Sequence, residues 1–151
     1  MGCNSKGCRC GESGTNLGDR EITTTPGPEC RVKGWGLEII IHDGDDYCGK
    51  VLHFNPNRKF SMHYHVKKKE TWYVSRGEFT LITINPDTAE KVEMELTKGD
   101  VIEVHRGIPH QLISKDEGGD IFEVSTPDDI NDSYRVEKGD SQNEHMGKRL
   151  L

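Results

Sequence analysis

Two histidines placed two residues apart are the feature of this 151-residue sequence that most directly suggests chemistry. His63 and His65 lie in a run that alternates like a β-strand, and residues i and i+2 of a strand project from the same face. Two imidazoles on one face form half of a metal site. Glu70 follows a basic turn that would return it towards the histidines, and His110 is a further donor after a Gly-Ile-Pro turn. Any single histidine would equally fit an ordinary surface or core position, so it is the spacing of the whole set that favours a metal site.

Short β-strands must position these donors. Between residues 35 and 125, short apolar runs alternate with turn sequences such as Asn-Pro-Asn, Asn-Pro-Asp and Lys-Gly-Asp. No stretch carries the apolar stripe of an amphipathic helix. The predicted strands are residues 35–41, 50–54, 60–65, 71–75, 78–84, 91–96, 101–105, 110–114 and 121–125. This pattern predicts an all-β fold, either an antiparallel sandwich or a small barrel.

Two polar segments flank the predicted barrel of residues 33–125. Residues 1–32 are rich in Gly and Cys and poor in large apolar side chains, which predicts a flexible arm. Residues 126–151 predict a C-terminal extension with a short helix or a wrapping arm.

The odd count of five cysteines argues against a disulfide framework. The arm cysteines Cys3, Cys8 and Cys10 could bind zinc with Cys30, or Cys3 could be acylated, but reduced thiols in a disordered arm are the favoured interpretation.

Charge and hydropathy exclude several classes of function. The formal net charge is -6, so the chain has no strong basic face for nucleic-acid phosphates. No apolar run approaches the length of a membrane span, and no apolar core of a signal peptide follows Met1. We therefore expect a cytoplasmic protein that binds neither nucleic acid nor membrane.

The histidine-containing segments resemble the two motifs of the cupin superfamily. Residues 60–70, followed by Gly77, resemble the first motif, His-x-His-x(3,4)-Glu-x(6)-Gly. Residues 99–110 resemble the second, Gly-x(5)-Pro-x-Gly-x(2)-His, with His105 in the place of the usual Pro. The resemblance implies a double-stranded β-helix, a jelly-roll-like barrel that holds one divalent metal. The ligands that it implies are His63, His65, Glu70 and His110. Three imidazoles and one carboxylate suit Zn, Mn, Fe, Co or Ni, and the sequence does not choose among them.

A narrower resemblance is to the cupin domain of type II mannose-6-phosphate isomerases. Residues 70–77 (Glu-Thr-Trp-Tyr-Val-Ser-Arg-Gly) are similar to that group's Glu-His-Trp-x-Val-x-x-Gly. Residues 121–124 (Ile-Phe-Glu-Val) and the acidic segment that ends at Arg135 are similar to its closing segments. The resemblance implies aldose–ketose isomerisation of a sugar phosphate, and also a homodimer.

Isomerisation needs a base that moves a proton between neighbouring carbons. Glu123 is the first candidate, because it lies in an apolar strand, although it could instead face solvent. His105 is the second candidate, although it could simply shape its turn. A phosphorylated sugar also needs cations. Arg135 matches the resemblance and is the best candidate, and Lys69 and Arg106 lie near strand ends, where they could instead belong to solvated turns.

Two other functions are consistent with the same ligand set. One is a non-catalytic cupin that binds or senses a carbohydrate. The other is an iron-dependent dioxygenase. The leading hypothesis is a metal-dependent cupin enzyme that acts on a sugar or sugar phosphate.

Overall fold

Almost all of the regular structure is β-strand. The structure is a computed structural model that describes residues 15–16, 21–22 and 25–143. The strands are Thr15–Asn16 (β1), Glu21–Ile22 (β2), Glu29–Lys33 (β3), Gly36–Asp43 (β4), Cys48–Phe54 (β5), Met62–Tyr64 (β6), Glu70–Ile84 (β7), Lys91–Leu96 (β8), Val101–Val104 (β9), His110–Ser125 (β10) and Tyr134–Glu137 (β11). A short 3₁₀ helix spans Asp140–Gln142. No helix in these described ranges is long and apolar enough to cross a membrane.

Strand β10 is the centre of a curled antiparallel sheet. It pairs with β7 on one side along most of its length. On its other side it pairs first with β6, at His110, and later with β5, from Gly119 to Ser125. The order β11-β6-β10-β5-β4-β3 continues the sheet, while β8 and β9 extend it from β7. This arrangement confirms the expected all-β jelly-roll fold.

Two pairs of predicted short strands are single long strands. Residues 71–75 and 78–84 are parts of β7, and residues 110–114 and 121–125 are parts of β10. The predicted turn at Gly118 and Gly119 is an irregularity in the β7–β10 ladder, where the register shifts. Gly77 has a φ of +81°, and an added Cβ there would lie 2.2 Å from the carbonyl oxygen of Gly118. The glycines therefore let two long strands bend and approach closely, rather than end them.

The sheet extends into both flanking segments. Strand β3 pairs with β4 and includes residues 29–32 of the predicted arm, and β11 in the C-terminal extension pairs with β6. Both are edge strands with mostly exposed side chains, so backbone pairing holds them rather than apolar burial. The arm cysteines Cys3, Cys8 and Cys10 lie outside the described residues.

Aromatic side chains pack directly beneath the histidines. Trp35 stacks on Phe54 with ring centroids 4.6 Å apart, and Phe60 meets Trp72 edge-on at 6.1 Å. Phe60 also reaches the histidines, with its ring 5.1 Å from that of His63. Phe54 and Trp72 alternate with more exposed residues along β5 and β7, which is the two-residue period of a half-buried sheet. The core thus presents an apolar surface directly beneath the candidate site.

Candidate metal centre

The structure brings three histidines from two neighbouring strands to one point. His63 lies on β6 and His65 directly after it, two positions along, while His110 begins β10 directly opposite His63. One ring nitrogen from each of these three histidines lies within 4.8 Å of the other two. The alternation of β6 and its pairing with β10 therefore assemble the three imidazoles that the sequence singled out.

Backbone carbonyls fix the orientation of all three rings. The Nδ1 atom of His63 lies 2.7 Å from the carbonyl oxygen of Ser61, that of His65 lies 2.5 Å from the carbonyl of Asp132, and that of His110 lies 2.8 Å from the carbonyl of Ile108. A carbonyl oxygen only accepts, so each Nδ1 carries the hydrogen and each Nε2 carries a free lone pair. Metal-binding histidines are held in this way.

The imidazoles of His63 and His110 are kept neutral, as metal binding requires. Burial lowers the pKa of His63 to about 3. Burial also lowers the pKa of His110. Protons therefore do not compete for these two rings at neutral pH.

Glu70 supplies the fourth donor. Its carboxylate is 4% exposed, with Oε1 3.6 Å from Nε2 of His65 and Oε2 3.4 Å from Nε2 of His110. Both Glu70 Oε2 and His110 Nε2 are buried without a hydrogen-bond partner, which is costly unless something else satisfies them. Burial opposes ionisation of Glu70, but the charge of Lys68 outweighs it and lowers the pKa of Glu70. A cation between these atoms would satisfy both, so the four residues fit one divalent transition metal whose identity the donor set leaves open.

The turn at residues 66–69 is held in place by Asp132, which the sequence analysis did not single out. The Asp132 carboxylate accepts hydrogen bonds from the backbone N–H groups of Val66, Lys67 and Lys68 at 2.9–3.1 Å. Its own carbonyl also accepts from His65. One buried aspartate therefore anchors both a ligand and the turn that leads to Glu70.

Buried charges form the wall beside the ligands. Glu123 is 3% exposed, and its Oε1 lies 2.6 Å from Nζ of Lys68. Lys68 is also bonded to Glu70 at 2.9 Å and to Asp128 at 3.2 Å. Asp128 in turn lies 2.8 Å from Nζ of the buried Lys50. Burial, and next the charge of Glu70, raise the pKa of Glu123, while Lys68 opposes them. Lys50 and Asp128 were not predicted as part of the site, because their partners are far away in sequence.

Of the remaining predicted site residues, one lines the pocket and the others lie outside it. Arg135 lies on β11 directly opposite His63 and lines the pocket. The structure does not bring His105, Lys69 or Arg106 into the lining. The His105 side chain is 63% exposed beside Glu103, and Lys69 forms an ion pair with the same glutamate. Arg106 donates to the carbonyl of Lys67 at 2.5 Å. Residues 105 and 106 directly follow the end of β9, and their side chains face solvent there.

The pocket has the size and lining of a small-molecule site. Its volume is about 370 Å³. Trp35, Leu52, Phe60 and Trp72 form an apolar part of the lining, and the ligands and buried charges form a polar part. Small-molecule sites commonly combine an apolar lining with a few convergent polar groups.

Comparison with known proteins agrees with this architecture. Residues 50–122, which include all four candidate ligands, match the family model of the cupin domain. No curated protein matches the sequence. The fold is similar to oxalate decarboxylase from Bacillus subtilis at pH 4.6, with a TM-score of 0.65 and 15% identity over 72% of this chain. A variant of that enzyme gives a TM-score of 0.65 at 16% identity, also over 72% of this chain.

A further structure of the same enzyme, from work that assigned the EPR parameters of its Mn(II) centres, gives a TM-score of 0.64 at 15% identity over 72% of this chain. This chain spans 30% of the length of each of these oxalate decarboxylase chains. At identities this low, the similarity to these structures shows a shared fold and nothing more. The match of residues 50–122 to the cupin-domain model, the curled antiparallel sheet and the four converging donors lead to one conclusion: this chain folds as an all-β jelly roll of the cupin type, with a site for one divalent transition metal.

Proposed function

We propose that this chain is a metal-dependent enzyme that isomerises an aldose phosphate to a ketose phosphate, in the manner of mannose-6-phosphate isomerases. The observation that carries the proposal is the position of Glu123. It is a buried carboxylate on the wall of the metal pocket, and one ammonium group, that of Lys68, links it to the ligand Glu70. A carboxylate beside a metal site, but outside its ligand set, is suited to proton transfer.

The proposed reaction moves a proton between two neighbouring carbons of the substrate. A bound divalent metal supplies a Lewis acid for the carbonyl and hydroxyl oxygens of the substrate. Glu123 removes the proton from one carbon and returns it to the next. Lys68 holds the Glu123 carboxylate in one place through a 2.6 Å contact. The apolar part of the lining, with Phe60 and Trp72, limits water around the transferred proton.

Arg135 is proposed to bind the phosphate. It lies opposite the ligand His63 on the neighbouring strand and lines the pocket. Its guanidinium makes no ion pair within residues 25–143, whereas Arg31 and Lys33, which also line the pocket, are paired with glutamates. An unpaired guanidinium at the pocket suits a phosphate, because its planar donors can bind two phosphate oxygens at once.

The test of the proposal is turnover of mannose 6-phosphate by protein loaded with Zn, Mn, Fe, Co or Ni. We expect fructose 6-phosphate as the product.

Replacing Glu123 by Gln should lower kcat about 10²- to 10⁴-fold, which is the usual contribution of a general base, while the metal content stays unchanged. Sugar binding without product would favour a carbohydrate-sensing cupin. Oxygen consumption with Fe(II) and an organic substrate would favour a dioxygenase.

A second expected result concerns Arg135. Replacing it by Met should raise KM for mannose 6-phosphate about tenfold or more, because a hydrogen-bonded charge pair is lost. The KM for unphosphorylated mannose should not change. Arg106→Met is the matched control, since Arg106 lies outside the pocket and should leave both constants as they are. Equal effects on the phosphorylated and unphosphorylated sugars would contradict the assignment of Arg135 to the phosphate.

A further inference from the structure

Lys68 points into the barrel, whereas its two lysine neighbours point out of it. The Lys68 side chain is 5% exposed, against 76% for Lys67 and 36% for Lys69. Asp132 binds the backbone N–H groups of Lys67 and Lys68, and this contact fixes the turn in the conformation that directs Lys68 inward. The middle lysine of a basic run is therefore built into the pocket.

The ammonium group of Lys68 has a carboxylate acceptor for each of its hydrogens. Its Nζ lies 2.6 Å from Glu123, 2.9 Å from Glu70 and 3.2 Å from Asp128. An ammonium has three hydrogens, so three acceptors account for all of them. A group bound in this way is suited to hold its neighbours in place, rather than to react with a substrate itself.

Lys68 lies between two buried carboxylates with different environments. Glu70 lies 3.4 and 3.6 Å from two histidine nitrogens, and its Oε2 has no hydrogen-bond partner. Glu123 makes no ion pair with any histidine within residues 25–143, and its ion pair is with Lys68. The Oε1 atoms of both carboxylates share one nitrogen, so they are separated by no more than two hydrogen-bond lengths. A short movement could bring Glu123 towards the metal position.

We propose that Lys68 is a positioning residue that keeps Glu123 out of the ligand set, so that Glu70 is the only carboxylate that binds the metal. The attraction of the ammonium holds Glu123 on the wall and offsets the repulsion between the two carboxylates. Without this charge, the cations near Glu123 are the divalent metal and Lys50, its partner on β5, and the Nζ of Lys50 is already bound by Glu38 and Asp128. The inference concerns the metal site and goes beyond the proposed isomerisation.

The visible absorption spectrum of bound Co(II) tests the proposal, because it responds to the number and kind of ligands and needs no turnover. We expect Lys68→Met to shift this spectrum relative to the unmodified protein, because Glu123 joins the ligand set. The double variant Lys68→Met with Glu123→Gln should return the spectrum to that of the unmodified protein, because the added ligand is gone. Glu123→Gln alone should leave the spectrum unchanged.

Lys67→Met is the matched control, since Lys67 is exposed and its Nζ pairs with Asp129. It should not shift the spectrum. The proposal is overturned by an unshifted spectrum in Lys68→Met, by loss of Co(II) binding, or by a shift that persists undiminished in the double variant. If circular dichroism shows that Lys68→Met is unfolded, Lys68→Gln carries the same test, because it also lacks the charge but keeps a polar end group. The Co(II) spectrum does not depend on isomerase activity, so the absence of isomerase activity would leave this test intact.

Discussion

Replacing His63 and His65 together by alanine is expected to abolish metal retention. The change removes two of the four donors, and the remaining pair, Glu70 and His110, is too small a set for a stable transition-metal site. Elemental analysis of the purified variant should find no metal, where the unmodified protein holds one ion per chain. The same loss should appear in thermal unfolding. Added metal stabilises a protein that binds it only when folded, by about 2.7 kcal/mol at a free concentration 100 times Kd. This stabilisation should vanish in the variant.

His105→Ala is the matched control for this experiment. His105 lies within the second histidine motif in sequence, but its side chain is 63% exposed and outside the pocket. It should leave both the metal content and the metal-dependent rise in Tm unchanged. Undiminished metal content in the His63 and His65 variant would show that the metal binds elsewhere in the chain.

Asp132→Ala is expected to have the largest effect on stability. The Asp132 carboxylate is buried and accepts hydrogen bonds from three consecutive backbone N–H groups, those of residues 66–68. A buried amide left without an acceptor costs about 1–3 kcal/mol, and water can reach part of this turn. We therefore expect the free energy of unfolding, measured in urea, to fall by about 2–4 kcal/mol. Metal retention should also weaken, because the turn positions Lys68 and Glu70.

Asp129→Ala is the control for Asp132. Asp129 belongs to the same acidic segment, but its carboxylate pairs with the exposed Lys67 at 3.2 Å. Such surface pairs contribute little to stability, so the change in unfolding free energy should be much smaller. Equal losses in the two variants would contradict the role given to Asp132.

The stabilisation by Asp132 should depend on pH in a defined direction. Burial opposes ionisation of Asp132, but hydrogen bonds from the backbone of residues 66–68 outweigh it and lower its pKa. A carboxyl group whose pKa is lowered by folding stabilises the protein above its unfolded pKa. This contribution is lost as the pH falls through the folded value. The stability difference between unmodified protein and Asp132→Ala should therefore be full at neutral pH and shrink below about pH 4. A difference that stays constant down to pH 2 would contradict this account.

Local periodicity was enough to predict the ligand strand and much of the sheet. His63 and His65 share a face because side chains alternate along any strand, and this holds whatever surrounds the strand. The same alternation places Glu123 inward together with Ile121, while Phe122 and Val124 face outward. The all-β fold was predicted for the same reason, because short strands and turns are local features, whereas the jelly roll was implied by the cupin resemblance and was confirmed by the structure. Strand ends were less predictable, since Gly77 and Gly118 bend long strands instead of ending them.

The directions of side chains in turns were decided by tertiary structure alone. Lys67, Lys68 and Lys69 are identical in type and consecutive in sequence, yet only the middle one is buried. The reason is a partner 64 residues away, Asp132, which fixes the backbone of the turn. Lys68 then meets Glu123, 55 residues further along the chain. The sequence by itself thus determined which residues can bind a metal, because the strand repeat is local. Only the tertiary structure decided which charges surround that metal, because those contacts join residues that no local pattern relates.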